Sequence, residues 1–357
     1  KQFVADIGLD ATMLVFLDGA ENVAEAPNEN YARELCELFT IGLTNQSGQP
    51  NYTEQDVSEI ARALTGYYLD EDDWEVAFEA EMHDAGTKTI FGQTGAWGYN
   101  DVVNLLFSQR SNQIAFHICQ KLYQEFVYEA PQPEIVQGLA QVFEANNFDI
   151  GAVLSTLLKS KHFFDPAFNI ARIKSPFECF AGLIMDTGLS DNDSEDLYQE
   201  MAGACEYAGQ LLLHPPNVGG YPGYRIWLST SSVPARWDST RFVMLDLIAR
   251  ETLMAFVNAL QDNDNVLAVF SLPVAIVTHF IGAPVEALAI QPISAPWSGG
   301  QPIPVEIEQG PQYVHHLTKQ MLAGIPWYEW DLNTEEAEYA LREFIAFVCE
   351  LPEYQLA

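Results

Sequence analysis

Asn28-Glu29-Asn30-Tyr31-Ala32-Arg33-Glu34-Leu35-Cys36-Glu37-Leu38-Phe39 is the stretch from which the fold is read. At 3.6 residues per turn, Tyr31, Leu35, Leu38 and Phe39 gather on one side, while Asn30, Arg33, Glu34 and Glu37 share an arc of about 100°. This predicts a helix over 28–41, apolar on one face and polar on the other. Arg33 and Glu37 stand four apart, close enough to pair, which leaves Glu34 to find another partner. A polar loop, 44–52, follows. Thr53 with Asp56 then forms an N-cap pattern that opens a helix through Val57, Ile60, Ala61 and Leu64, stopping near Gly66. The short connection and the two apolar stripes predict an antiparallel helical pair.

The same period recurs along the chain, with helices expected at about 100–108, 110–128, 132–146, 149–160, 175–188, 194–213, 237–260, 264–280, 311–323 and 333–350. One β signal interrupts it: the run Trp74 to Glu81, followed by Lys88 to Gly92, reads as a small hairpin over about 74–92. Two long irregular stretches remain, 214–236 and 290–312, the second with five prolines and three glycines. Long ordered loops in helical proteins commonly carry function. The fold class expected is mainly α: a multi-helix single domain over 1–357 with one hairpin and two long loops.

Composition narrows the function. The 357 residues include 50 Asp and Glu against 16 Lys and Arg, a net charge of −34. Such a surface repels nucleic acid and anionic lipid, so no nucleic-acid partner is expected. Screening by salt damps the self-repulsion, which suits saline, extracytoplasmic surroundings. No run of about 18 uncharged apolar residues exists, so no transmembrane segment is expected. Cys36, Cys119, Cys179, Cys205 and Cys349 form no C-x-x-C pair. They read as small buried hydrophobes, with one or two disulfides as the alternative in an exported protein.

Three clusters carry chemistry. In the first, 28–39, the alternatives are a solvated face and a carboxylate wall that holds a cation or a polar substrate. Because bases are scarce, Arg33 and Arg62 are expected to be at least half buried and paired with Glu29, Glu34 or Glu37. The second cluster is His83-Asp84-Ala85-Gly86-Thr87-Lys88: an imidazole, a carboxylate and an ammonium in one loop, or simply a turn with a surface His. The third is His214-Pro215-Pro216-Asn217-Val218-Gly219-Gly220-Tyr221-Pro222-Gly223-Tyr224-Arg225-Ile226-Trp227, running on to Arg236-Trp237, a stiff loop whose aromatics either face a ligand or plug the core. Asp191 to Asp196 reads as an acidic turn. No G-x-S-x-G, H-E-x-x-H, Walker or dinucleotide motif is present.

These clusters resemble the bacterial "domain of unknown function 1800" family. The likeness rests on Asn28-Glu29-Asn30-Tyr31-Ala32-Arg33-Glu34-Leu35, on Tyr52 to Val57, and on Ala61-Arg62-Ala63-Leu64-Thr65-Gly66. His83-Asp84 with Gly86, Lys88-Thr89 and Gly92 extends it, as do Pro215-Pro216-Asn217-Val218-Gly219-Gly220 and the ending Leu351 to Gln355. Tyr221 stands where the family usually has Trp. The resemblance implies a helical, exported protein, periplasmic or secreted. Members carry a further N-terminal helical region, which the stretch beginning at Lys1 is expected to lack. It also implies a genomic neighbour resembling sulfatases and alkaline phosphatases as a partner.

Two functions follow. One is an extracytoplasmic binding or assembly module. The other is a hydrolase-type enzyme with His83 as base, Asp84 orienting it, and Glu34 and Glu37 as acid or as ligands of a divalent cation. In either case Asn28, Asn30, Arg33, Arg62, Lys88, Asn217, Tyr221 and Trp227 are the candidate binding residues. All three clusters are expected to converge on one cleft.

Overall fold

A computed structural model describes residues 1–70, 74–190, 196–260, 268–288 and 290–357. The acidic run 191–195 and the start of the helix expected from 264 lie outside the described residues. The chain divides into two compact units, Lys1–Phe164 and Asp165–Ala357.

The first unit begins with α1 (Gln2–Ile7), α2 (Ala11–Phe16) and α3 (Asn30–Glu34), and α3 runs on as a π-turn over Leu35–Thr40. In that widened turn the Ile41 amide reaches back to the Cys36 carbonyl at 3.0 Å, an i→i+5 bond that shifts the phase of every later side chain. Thr53 caps α4 (Glu54–Ala63) as expected: its hydroxyl accepts from the Asp56 amide at 3.1 Å while Asp56 accepts from the Thr53 amide at 2.9 Å. Asn22 bridges the outer ends of the pair, donating to the Ala61 carbonyl at 3.0 Å and accepting from the Asn28 amide at 2.8 Å. Tyr52 and Glu54 meet the middle of the first helix from the other end. The two helices are therefore antiparallel.

The β structure differs from the single hairpin expected over 74–92. β1 (Tyr67–Leu69) pairs with β2 (Val76–Phe78), and β3 (Lys88–Ile90) pairs with β4 (Gln93–Gly95), both antiparallel. β2 is drawn back to the strand directly after α4 by a Tyr67–Phe78 aromatic pair at 5.0 Å and by the Glu79 amide bonding to the Gly66 carbonyl at 2.8 Å. β3 turns into β4 through Phe91 and Gly92, both at positive φ (49° and 79°), the handedness that matches strand twist. A Phe-Gly pair is a weak sequence signal for such a turn. α5 (Tyr99–Gln109), α6 (Ser111–Phe126), α7 (Pro133–Ala145) and α8 (Ile150–Leu158) complete the unit close to the expected bounds.

The second unit comprises α9 (Pro176–Thr187), α10 (Leu197–Tyr207), α11 (Ser232–Phe242), α12 (Arg250–Leu260), α13 (Ala268–Phe280), α14 (Val305–Glu308), α15 (Gln312–Leu322) and α16 (Glu335–Glu350). Its core is built from Leu253, Phe270, Ile276, Leu317, Met321, Leu341 and Phe344. The continuous helix expected over 237–260 is broken. After α11 a π-turn spans Val243–Leu247, and Ile248 is extended. Buried Arg342 of α16 takes up the carbonyls freed there, donating to Met244 at 2.8 Å and to Ile248 at 2.9 Å, while Glu338 balances its charge. The irregular stretch expected over 214–236 ends where α11 begins, and 290–312 contains the short α14.

All five cysteines are buried and free. The small-hydrophobe reading holds, and the disulfide alternative does not.

Candidate functional site

Arg33 forks onto Glu54, with bonds of 3.0 and 2.8 Å, and also reaches Glu29 at 3.1 Å. The expected partner Glu29 is there, whereas Glu54 was not foreseen. Glu37 lies within the π-turn, out of step with Arg33, and accepts instead from the Tyr52 hydroxyl at 3.1 Å. Glu34 has no hydrogen-bond partner among the described residues. Partial burial, with Glu37 beside it, raises its pKa above the ordinary carboxylate value. Asn28 and Asn30 close the helix entrance: the Asn28 side chain accepts from the Asn30 amide at 2.9 Å, and Asn30 donates to Asp18 at 2.7 Å.

The second cluster is bound to α4. Arg62 donates to Asp84 through Nε at 2.7 Å and to both Glu59 oxygens at 3.1 and 3.0 Å. It is half-buried, as expected, but none of its partners is Glu29, Glu34 or Glu37. The Asp84 carboxyl is held below its ordinary pKa, chiefly by the Arg62 guanidinium and also by the Gly86 amide. Lys88, only 1% exposed, turns its ammonium inward to the carbonyls of Asp84 and Gly86. Burial lowers its pKa. Glu59 also accepts from the Thr89 amide at 2.9 Å, and Asp56 accepts from the Phe91 amide at 2.7 Å.

His83 faces the C-terminal end of α4. Its Nδ1 lies 2.9 Å from the Thr65 carbonyl, which as an acceptor assigns the proton to Nδ1. The Thr65 hydroxyl accepts from the Asp84 amide at 2.8 Å. Gly66, at φ 97°, admits this approach, since a Cβ there would lie 2.9 Å from the His83 Cβ and 3.0 Å from the Glu79 carbonyl. No hydrogen bond or ion pair among the described residues joins His83 or Asp84 to Glu34 or Glu37. Nor are any three His, Cys, Asp or Glu side chains among them grouped to hold a metal ion.

The third cluster belongs to the second unit. Gly219 donates to the Asn217 side chain at 2.9 Å, a tight Asx turn. Tyr221 stacks at a tilt on Trp227, with centroids 5.9 Å apart, and its hydroxyl bonds to the Leu211 carbonyl. Buried Arg236 anchors the loop, donating to the Trp227 carbonyl at 3.2 Å, to Gln355 at 3.1 Å and to the Lys174 carbonyl at 2.9 Å. The result is a cavity of about 340 Å³ lined by Tyr207, His214, Tyr221, Trp227 and Ser229.

A family model described as "Protein of unknown function (DUF1800)" matches residues 1–356. The chain belongs to the DUF1800 family. No curated protein and no solved structure matches it.

In this DUF1800 chain the quoted motifs acquire physical roles. The block 61–66 supplies Arg62, the Thr65 hydroxyl and the Gly66 space that seat His83-Asp84. The ending 351–355 places Gln355 on Arg236, and the Tyr354 hydroxyl on the Cys179 carbonyl at 3.0 Å. Glu59 and Thr65 were missed as functional partners. Glu59 stands one turn before Arg62 on α4, the spacing that could have flagged it. Among the described residues no helix is long and apolar enough to cross a membrane.

Proposed function

We propose that this DUF1800 chain is an extracytoplasmic binding or assembly module whose docking surface is the 207–232 segment of its second unit. The observation that carries the reading is the commitment of the His83–Lys88 cluster. Asp84, Lys88, Arg62 and Glu59 are bonded to one another and to backbone groups of 84–89. Groups so engaged hold a segment in place, and freeing them for substrate would cost the contacts that fix it. Around the second-unit cavity the pattern is the reverse. Leu213 is 93% exposed and Ile226 63% exposed, with Tyr207 and Leu211 also open to solvent. Apolar side chains clustered on a stiff, anchored loop are the mark of a protein-docking surface.

The charge of −34 supports an extracytoplasmic setting. The family resemblance supports the sulfatase- or alkaline-phosphatase-like neighbour as the partner. Sedimentation velocity of the purified chain mixed with that protein tests this. A complex is expected at roughly 10 μM, persisting in high salt because apolar contacts are not screened. It should be lost in the double variant Leu213→Asp, Ile226→Asp, both surface positions. Absence of a wild-type complex, or an undiminished complex in the variant, contradicts the reading.

A further inference from the structure

The 44–52 loop, the end of the π-turn and the facing sides of α6 and α7 enclose a second cavity, of about 320 Å³, in the first unit. Its lining is unusual in chemistry. Asn51, Asn112, Gln113, Gln120 and Gln137 contribute carboxamides, Phe116 an aromatic ring and His117 an imidazole, and no Asp, Glu, Lys or Arg lines it. In a chain with 50 acids this is a neutral enclave.

Asn51, one of the lining residues, is itself held from behind. Asn51 is 6% exposed. Its Nδ2 donates to the carbonyls of Ile41 at 2.7 Å and Gly42 at 3.1 Å, which fixes the amide so that Oδ1 cannot exchange places with Nδ2 without facing two carbonyls. That Oδ1 is buried and has no hydrogen-bond partner among the described residues. Among the described residues Asn112, Gln113 and Gln120 make no side-chain hydrogen bond, whereas Gln46 and Gln137 bond to each other at 2.5 Å. His117 lies with Nε2 3.3 Å from the Leu38 carbonyl, and burial lowers its pKa. Donation from Nε2 leaves Nδ1 as an acceptor. Gly42, at φ 71°, admits the imidazole itself, since a Cβ there would sit 2.6 Å from Nδ1. The cations packed on this region are engaged elsewhere: Arg110 bonds to the Asn51 and Gln109 carbonyls, and Lys121 to the Leu38 carbonyl.

We infer that this cavity binds a neutral polyhydroxylated ligand, a sugar residue of an oligosaccharide. Carboxamides each offer a donor and an acceptor end, which matches hydroxyl groups that do both. Phe116 offers a face for the C–H side of a pyranose ring. The absence of a lining cation among the described residues, within a strongly negative protein, disfavours phosphate, sulfate and uronate. A volume near the lower end of ligand pockets suits one ring and part of its neighbour.

Isothermal titration of the whole chain with neutral gluco-, xylo- and N-acetylglucosamine oligosaccharides, and with an oligogalacturonate as the charged counterpart, tests the inference. At least one neutral probe should bind with a dissociation constant of roughly millimolar or tighter, and the uronate should bind more weakly or not at all. Gln113→Ala and Phe116→Ala should each weaken binding by at least about tenfold. Because the Gln113 side chain has no bond among the described residues, its variant should melt with the wild type. Failure of every neutral probe on folded protein, preference for the uronate, or full binding by both variants would overturn the site. Loss of sugar binding in Tyr221→Ala alone would also overturn it, while leaving the binding-module reading in place. The partner complex should be indifferent to Gln113→Ala, so the two proposals fail separately.

Discussion

Arg62 Nε donates to Asp84 Oδ2 across 2.7 Å, and this bond joins the segment that follows His83 to helix α4. Around it Glu59, Asp56 and Thr65 bind the backbone of the same segment at Thr89, Phe91 and Asp84. Lys88 fills the interior, its ammonium satisfied by carbonyls. The arrangement is a clasp: charges from the helix meet amides of the loop, and the charge of the loop turns inward.

Asp84→Asn removes the anion that balances both Arg62 and the buried Lys88. Both partners of the Arg62–Asp84 pair are well shielded, with 27% and 18% of their side chains exposed. The loss should be about 2–3 kcal/mol, below the full cost of breaking a wholly buried pair. In calorimetry that is a fall of roughly 5–10 °C in Tm. Arg33→Ala, whose partner Glu54 is 77% exposed, should move Tm by less than about 2 °C. A reversed ranking would contradict the clasp.

The same pair sets an acid dependence. Arg62 depresses the folded Asp84 pKa. The contribution is thus complete above the unfolded carboxylate value, about 3.9, and is lost as pH falls through the depressed folded value. The wild type and Asp84→Asn should differ most near neutrality and converge in strong acid. A constant difference in Tm across that range would show that Asp84 acts without its charge.

Glu34 has the opposite sign. Its folded pKa is raised by burial and by Glu37, so its ionised form burdens the fold above that raised value and not below the unfolded one. Glu34→Gln should raise Tm at neutral pH by about a degree, and the gain should vanish toward pH ~4. A lower Tm at neutral pH would mean that Glu34 holds a needed contact.

The five thiols should be silent. Burial pushes Cys36 and Cys119 up to about 12 and Cys205 up to about 11, and the thiolate is the reactive form. Ellman's reagent should find almost no reactive thiol in the native chain and all five after unfolding, without reductant. Recovery of fewer than five in denaturant would reveal a disulfide.

What the sequence disclosed depended on periodicity and local pattern. The Thr53–Asp56 box and the apolar stripe of α4 depend on neighbours in sequence, and both were legible. The failure of Arg33 to pair with Glu37 was not, because the π-turn over Leu35–Thr40 changes the helical phase by a hydrogen-bonding choice that no residue spacing announces. β2 pairs backward with β1, helped by the Glu79 amide on the Gly66 carbonyl, a contact between residues too far apart in sequence to form a local pattern. The role of Glu59 and the second role of Asp56 were not legible, because both accept from amides about thirty residues away. The amide cavity escaped notice because Asn and Gln scattered over 45–137 form no motif until the loop meets α6 and α7.

Hydrogen exchange of the segment 84–95 in the wild type and in Asp84→Asn tests the central claim most directly. The account predicts that Thr89 and Phe91, whose amides bond to Glu59 and Asp56, are protected in the wild type. In the variant they should lose that protection together with Asp84 and Gly86, while α6 and α7 keep theirs. Exchange in 84–95 that is equally slow with and without the Asp84 charge would show that the cluster does not hold the segment, and would return His83, Asp84 and Lys88 to candidacy as reacting groups.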